Sequence, residues 1–335
     1  MPRPPLASLT DVASTGAPLA ERAQRLVDGL TRWLPPGATW LALADPDAKV
    51  YATVASTGLE QPVLDYLARP AVAESIRDAG LTRNRPPLSL ADLAVPVDEL
   101  PTWTDCLIPT GFREGLGVPL FEPGGPYLGI LTLLFFSGDP PSPAVRATMA
   151  RLAPLVAGGV SPMRSVLATA RLVQGATSGA VLFRDGTLQP LPGLERHELL
   201  DARCPVVEVA RDALLAGQVY RSFMWPVDDG GAGGHVRMTV LAAADVPAFV
   251  LGTLLVSPDG DCRGLTSREL EVLGHIVDGL SNQQVARRLA LAPRTVAAHV
   301  EHILHKLDAP SRTLAAVQAE RDGCYVPAPR SPIRH

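Results

Sequence analysis

The stretch 265–321, LTSRELEVLGHIVDGLSNQQVARRLALAPRTVAAHVEHILHKLDAPSRTLAAVQAER, holds the densest run of folding signals in the chain. Leu265-Thr266 followed by Glu269-Leu270 is a complete helix start. Thr266 can cap the amide of Glu269, Glu269 can reach back, and Leu265 can staple onto Leu270. The helix so begun puts Leu270, Leu273 and Val277 on one face and ends at Gly279. Leu280-Ser281 with Gln284-Val285 repeats the same device, starting a second short helix that buries Val285, Ala286 and Leu289. Leu291-Ala292-Pro293 is a tight turn, with proline at the first position of a third helix, where its missing N–H costs nothing. In that helix Val296, Val300, Ile303 and Leu307 recur at steps of four, three and four and form one buried stripe. Arg294, Ala298, Glu301, His302 and His305 fall on the opposite face, kept slim by Ala297 and Ala298, so the helix can lie against another surface such as a DNA major groove. Past Pro310, Ser311 can cap a fourth helix carrying Leu314 and Val317 as far as Gly323.

These residues resemble a LuxR-type helix-turn-helix domain. The likeness rests on Leu265-Thr266 with Glu269, Gly279 with Ser281-Asn282, Val285-Ala286 with Leu289, Thr295-Val296 with His299, Ile303 with Lys306-Leu307, and Ser311-Arg312, and runs without a gap. It implies that the third helix enters the major groove and that the fourth, through Leu314 and Val317, mediates dimerisation. Gln283, Ala297 and Glu301 stand where family members often carry lysine or other polar residues, and Ala292 stands in place of a capping serine, a loss of about 1 kcal/mol. Over 265–321 the cations exceed the anions by one. A single copy should therefore bind weakly with a shallow salt dependence, and a homodimer reading two half-sites is expected.

Helix geometry distributes the roles. Arg294, His302, His305 and Lys306 are candidates for phosphate contact, with Thr295 beside them and Gln283 on the second helix. Ala297, Ala298 and Glu301 lie where base edges are read: alanine can meet a thymine methyl, and glutamate can accept from cytosine N4. His299, His302 and His305 do not make a metal site in this reading, because steps of three drift around a helix. No metal and no cofactor are expected.

The 335 residues suffice for two or three domains, and a composition 47% hydrophobic and 5% aromatic is ordinary for globular proteins. Lys49 and Lys306 are the only lysines, and a net charge of -4 means that any DNA-binding field is local. Cys106, Cys204, Cys262 and Cys324 are too scattered for a zinc cluster or a disulfide framework and read as buried or idle thiols of a cytoplasmic protein. The longest apolar run, Leu128 to Phe136, is too short to span a bilayer, so no membrane partner is expected.

Residues 1–16, without periodicity, are expected to be disordered. From 17 to 160 the order is an amphipathic helix at 19–34, a hairpin of 40–44 and 50–54 about the turn Asp45-Pro46-Asp47, helix at 62–79 broken near Pro70, a hairpin across Gly117 to Leu134, and a helix started by Ser142-Pro143. This resembles a GAF domain. No histidine precedes His197, which argues against a histidine-ligated haem, and Cys106 lacks the neighbouring histidine of bilin-binding relatives. Any ligand is an unknown small molecule.

Residues 161–257 read as a second module of PAS or GAF type: a connecting helix at 163–174, a hairpin at 179–191 about Arg184-Asp185-Gly186, helix at 206–215, and a closing pair of strands at 236–242 and 249–256. Leu251-Gly-Thr-Leu-Leu echoes Leu128-Gly-Ile-Leu-Thr-Leu-Leu. A polar linker, 258–264, leads into the helical domain at 265–323, and 324–335 is expected to be a disordered tail. The fold class is thus α+β and multi-domain: antiparallel-sheet sensor modules before an all-α four-helix domain.

Neither lysine sits in a Walker A loop or late in a phosphoreceiver sheet, His197-Glu198-Leu-Leu-Asp201 lacks the second histidine of a zinc protease, and no Gly-x-Ser-x-Gly elbow occurs. No catalytic residue is assigned and an enzyme is not expected. The reading is a sequence-specific transcriptional regulator of promoter DNA, gated by its N-terminal modules, with RNA polymerase as a candidate partner. The competing reading is a protein-interaction module with weakened DNA binding that acts through another regulator.

Overall fold

The structure is a computed structural model that describes residues 6–45, 49–82, 86–122, 125–170, 173, 175–227, 234–258 and 262–328. The chain divides into two compact units, Met1–Ser165 with Asp245–Phe249, and Val166–Ala244 with Val250–His335.

The first unit is built on α1 (Leu6–Ser14), α2 (Leu19–Trp33), β1 (Ala38–Asp45), β2 (Val50–Thr57), α3 (Gln61–Leu67), α4 (Pro70–Asp78), β3 (Leu88–Ser89), β4 (Glu114–Phe121), β5 (Tyr127–Phe135) and α5 (Pro143–Val160). Its five strands form an antiparallel sheet in the order β2-β1-β5-β4-β3. Side chains on a strand alternate between faces, and β1 is buried on both. Trp40 and Ala42 join Val72, Ile76, Trp103, Ile130 and Leu134 in one core. Leu41 and Leu43 are fully buried as well, which requires cover on the other face. Pro70, at the first position of α4, separates it from α3 as the sequence suggests. Ser142 caps α5 by accepting from the Val145 amide.

Residues 6–14, expected to be disordered, form α1 instead. Leu9 is fully buried, and its side chain lies within 2.7 Å of the space that a Cβ on Gly29 would fill. Ala13 is buried too, beside Gly159 of α5, so tertiary packing orders a segment too short and too weakly periodic to be helical alone. The turn expected at Asp45-Pro46-Asp47 lies largely outside the described residues.

The second unit continues from α6 (Pro162–Ala170) to β6 (Ser178–Phe183), β7 (Leu188–Pro190), α7 (Pro205–Leu215), β8 (Tyr220–Val227), β9 (Gly234–Ala242) and β10 (Val250–Ser257). The connecting helix expected over 163–174 is described as far as Ala170, and positions 171, 172 and 174 of it lie outside the described residues. The sheet order is β7-β6-β10-β9-β8. Numbered from the start of each module, the two sheets have the same strand order, so the echo between residues 128–134 and 251–255 marks a structural repeat. Gly129 and Gly252 are each the third residue of the central strand, but the neighbour each crowds differs: β1 for Gly129, and β9, which stands in the place of β4, for Gly252. A Cβ on Gly129 would stand 2.2 Å from the Ala42 carbonyl oxygen, and one on Gly252 would stand 2.1 Å from that of Leu241. Each glycine lets a neighbouring strand pass at a distance that no side chain permits.

β8 is absent from the sequence reading. It is an edge strand, the position at which its Pro226 is tolerated, and its alternation is fixed by pairing with β9, Phe223 opposite Met238.

Four helices follow: α8 (Ser267–Val277), α9 (Asn282–Arg288), α10 (Pro293–Leu307) and α11 (Arg312–Asp322). Both capping boxes form, Thr266 with Glu269 and Ser281 with Gln284, and Ser311 caps α11 through the Leu314 amide. One apolar cluster runs from Phe223, Met238 and Leu254 of the sheet through Tyr325 to Leu273, Ile303 and Ala319 of the helices.

The tail beyond 323 departs from its expectation of disorder, as far as it is described. Residues 324–327 form a strap between α8 and β8, with Tyr325 only 1% exposed. The Met224 amide donates to the Tyr325 carbonyl at 2.8 Å, and the Val326 amide donates to the Leu270 carbonyl at 3.1 Å. Arg221 Nε donates to the Tyr325 hydroxyl at 3.0 Å. The strap covers part of an edge strand that would otherwise offer unpaired backbone groups. A Cβ on Gly274 would fall 1.8 Å from the Val326 carbonyl oxygen, a backbone atom that cannot rotate away. Gly274→Ala is expected to lower stability by about 1–3 kcal/mol in urea denaturation, because the strap must shift to admit one methyl.

Candidate nucleic-acid interface

The third helix separates into two faces as its sequence demands. Val296, Ile303 and Leu307 are buried and Val300 is half-buried, while Arg294, Ala298, Glu301, His302 and His305 are exposed. Ala297 and Thr295 lie half-buried at the border, and Gln283 is exposed on α9. The outward residues recur at helical spacing over the length of α10 and form an unbroken stripe.

Lys306 departs from its expected role. Its ammonium donates to Glu269 Oε2 at 2.7 Å and to the Gly264 carbonyl at 2.8 Å, so it fastens the end of α10 to the start of α8 and is not presented as a phosphate ligand. Sequence spacing could place Lys306 near the outer face, but only folding brings the Glu269 carboxylate, 4% exposed, beneath it. Burial pushes the Glu269 carboxyl up. The hydrogen bonds from Lys306 and from the Thr266 amide outweigh this and hold it below the ordinary carboxylate range. The His302 ring stands 3.9 Å from the same carboxylate.

Other cations of the domain are also engaged. Arg268 pairs with Glu271 and donates to the Leu289 carbonyl, and Arg312 donates to the Leu280 carbonyl, holding α11 to the turn before α9. Arg321 pairs with Asp322. Arg287, Arg288 and Arg294 stay exposed and form no ion pair among the described residues. They cluster where α9 ends and α10 begins. The net charge from sequence therefore hides a local positive field at the turn, because Glu269 and Glu271 are already neutralised inside the domain.

Ala292 occupies the α10 N-cap and makes no side-chain cap, so the first amides of the helix lack a side-chain acceptor there. Leu314 and Val317, 39% and 55% exposed, present an open apolar face on α11. His275, unremarked in sequence, is buried in α8 with Nδ1 unpartnered, and burial holds its ring below the ordinary histidine range. Among the described residues no group of histidine, cysteine, aspartate or glutamate could hold a metal ion.

Ala292→Ser should stabilise the domain by about 1 kcal/mol in urea denaturation by supplying the missing cap. Lys306→Met should destabilise it, and the sign with pH follows from Glu269. A carboxyl held low in the fold contributes stability that is present above its unfolded value and lost as pH falls through its folded value. The difference between wild type and Lys306→Met should therefore be fully present above the ordinary carboxylate range and shrink as pH falls through the lowered folded value of Glu269.

Comparison with known proteins agrees with this geometry. Residues 263–319 match the family described as bacterial regulatory proteins, luxR family. The transcriptional regulatory protein LiaR of Bacillus subtilis is 45% identical over 161 residues, which cover 42% of this chain and 75% of LiaR. The nitrate/nitrite response regulator protein NarL of Escherichia coli is 42% identical over 84 residues, 25% of this chain and 39% of NarL. Among solved structures, a GAF domain of a Coxiella burnetii phosphoenolpyruvate-protein phosphotransferase aligns at TM-score 0.39 and 21% identity, over 49% of this chain and 94% of that one. Escherichia coli SdiA aligns at TM-score 0.36 and 14% identity over 95% of each chain. With α10 exposing an unbroken stripe from a helix-turn-helix matched along its length, the chain belongs to the LuxR family of DNA-binding transcriptional regulators.

Proposed function

We propose that this regulator reads promoter DNA as a homodimer through α10 and that a small molecule in its N-terminal module sets its activity. The carrying observation is the exposed stripe from Arg294 to His305 beside the arginine cluster at the α9–α10 turn. Arg287, Arg288 and Arg294 supply phosphate contacts, and His302 and His305 add hydrogen bonds. Ala297, Ala298 and Glu301 face the base edges, with Gln283 and Thr295 at the border of the contact. Leu314 and Val317 supply the dimer face, which sets the spacing of two half-sites. RNA polymerase is the expected next partner in a cytoplasmic setting. No described helix is long and apolar enough to cross a membrane.

The signal enters at a cavity of about 100 Å³ between the first sheet and its α4 side. Trp40, Val72, Ile76, Trp103, Ile130 and Leu134 line it, and no charged residue is among its described lining. A ligand for such a site is neutral and largely apolar, because a charge would be desolvated without a partner. Its effect on DNA affinity is a coupling free energy of about 1–3 kcal/mol, typical of two linked sites.

Selection from random duplexes with the full chain at two salt concentrations tests this reading. A palindromic site is expected. Arg294→Ala should weaken binding across all sequences and lower the salt slope by about 1. Glu301→Ala should instead relax preference at one base pair, by about 1–3 kcal/mol. An unchanged preference in Glu301→Ala would remove that residue from base reading, and no enrichment at either salt, with or without the isolated 265–321 segment, would sink the DNA assignment.

A further inference from the structure

The segment that enters the helical domain and the strap that leaves it meet at two sulfurs. Cys262, four residues ahead of the Thr266 cap, and Cys324, directly after the α11 C-cap Gly323, are buried in one small cluster with Met224 of β8 and Leu270 of α8. Both are thiols, hydrogen-bonded to each other. Arg237 of β9 reaches the pair: its Nη1 donates to the Asp322 carbonyl at 2.7 Å, and its Nη2 stands 4.0 Å from Cys324 Sγ. The Asp322 carbonyl lies 3.6 Å from the same sulfur. The hydrogen bond from Cys262 pulls the Cys324 thiol down, burial opposes it, and Arg237 pulls it down further against the Asp322 carboxylate, leaving it at about 7. That carboxylate is itself held by Arg321 and Arg263. A thiolate beside a guanidinium is the reactive form of cysteine.

We propose that Cys262 and Cys324 are a reversible redox pair whose disulfide joins the two ends of the helix-turn-helix domain and clamps the strap between α8 and β8. The oxidant is a peroxide. The Cys324 thiolate attacks one peroxide oxygen, the O–O bond breaks, and hydroxide leaves and takes up a proton as water, so that Cys324 becomes a sulfenic acid. The Cys262 sulfur then attacks the Cys324 sulfur, the S–O bond breaks, and a second water departs with the Cys262 proton. Two electrons pass from the sulfur pair to the peroxide, and a dithiol returns them by exchange.

The cross-link sits one residue from Tyr325 and two from Val326, whose backbone bonds to β8 and α8 hold the strap. Oxidation therefore fixes the helical domain on the edge of the second sheet. This inference stands apart from the DNA reading, since its readouts are covalent and local. Cys106 and Cys204 lie outside the cluster and serve as internal controls. Burial pushes the Cys106 thiol up, away from reactivity.

The full chain is treated with hydrogen peroxide, alkylated, digested without reduction and analysed by peptide mass spectrometry. The expected result is one intrachain 262–324 cross-link reversed by dithiothreitol, with Cys106 and Cys204 alkylated. In Cys262→Ser, Cys324 should stop at the sulfenic acid and be trapped by dimedone. Hydrogen exchange at the Met224 and Val326 amides should slow about tenfold or more on oxidation of the wild type and not of Cys262→Ser. Cross-links between chains or through Cys106 or Cys204, or a wild type whose Cys262 and Cys324 both remain alkylatable while Cys106 and Cys204 oxidise, would overturn the proposal. Should Cys324→Ser fail to fold, the wild type and Cys262→Ser still decide it.

Discussion

The helical domain depends on one buried carboxylate. Glu269 completes the capping box of α8, accepts from the amide of Thr266, and takes the ammonium of Lys306 from the far end of α10. A carboxylate so deeply covered is costly unless its oxygens are satisfied, and here the partners come from the N-cap of α8 and the far end of α10. The orientation of α10 is therefore set from behind, at its C-terminal end, while its outer stripe is left clear. A residue that begins as a local helix-start signal becomes the tie that fixes α10 against α8.

Charge in this domain is divided by function. Lys306, Arg268, Arg312 and Arg321 are spent on carbonyls and carboxylates within the fold, whereas Arg287, Arg288 and Arg294 gather at the turn between α9 and α10. A protein with net charge -4 can present a cationic patch because its nearby anions are already paired. Phosphate binding needs a field within a few ångströms, not a basic protein.

The two five-stranded sheets follow one plan, with the same strand order and a crowded glycine at the third residue of the central strand, Gly129 of β5 and Gly252 of β10. They differ in what they cover. The first encloses an apolar cavity beside Trp40 and Trp103. The second presents its edge strand β8 to the strap that ends the helical domain. A duplicated scaffold has thus been put to two uses, one enclosing a cavity and one holding the output domain.

Sequence by itself determined the helical domain. Thr266, Ser281, Pro293 and Ser311 start its helices, Val296, Ile303 and Leu307 choose the buried face, and the outward stripe follows by geometry, because caps and helical periodicity act within a few residues. Most strands were legible for the same reason, through alternation and turn residues. Tertiary structure alone decided what depends on distant partners. It ordered α1 through Leu9, defined β8 by its pairing, and turned Lys306 inward to Glu269. It also buried Tyr325 in a tail of unremarkable composition and brought Cys262 to Cys324 across the span of the domain. Nothing in the local pattern distinguishes a lysine that will meet phosphate from one that will meet a buried carboxylate, since that choice is made by packing between residues far apart in the chain.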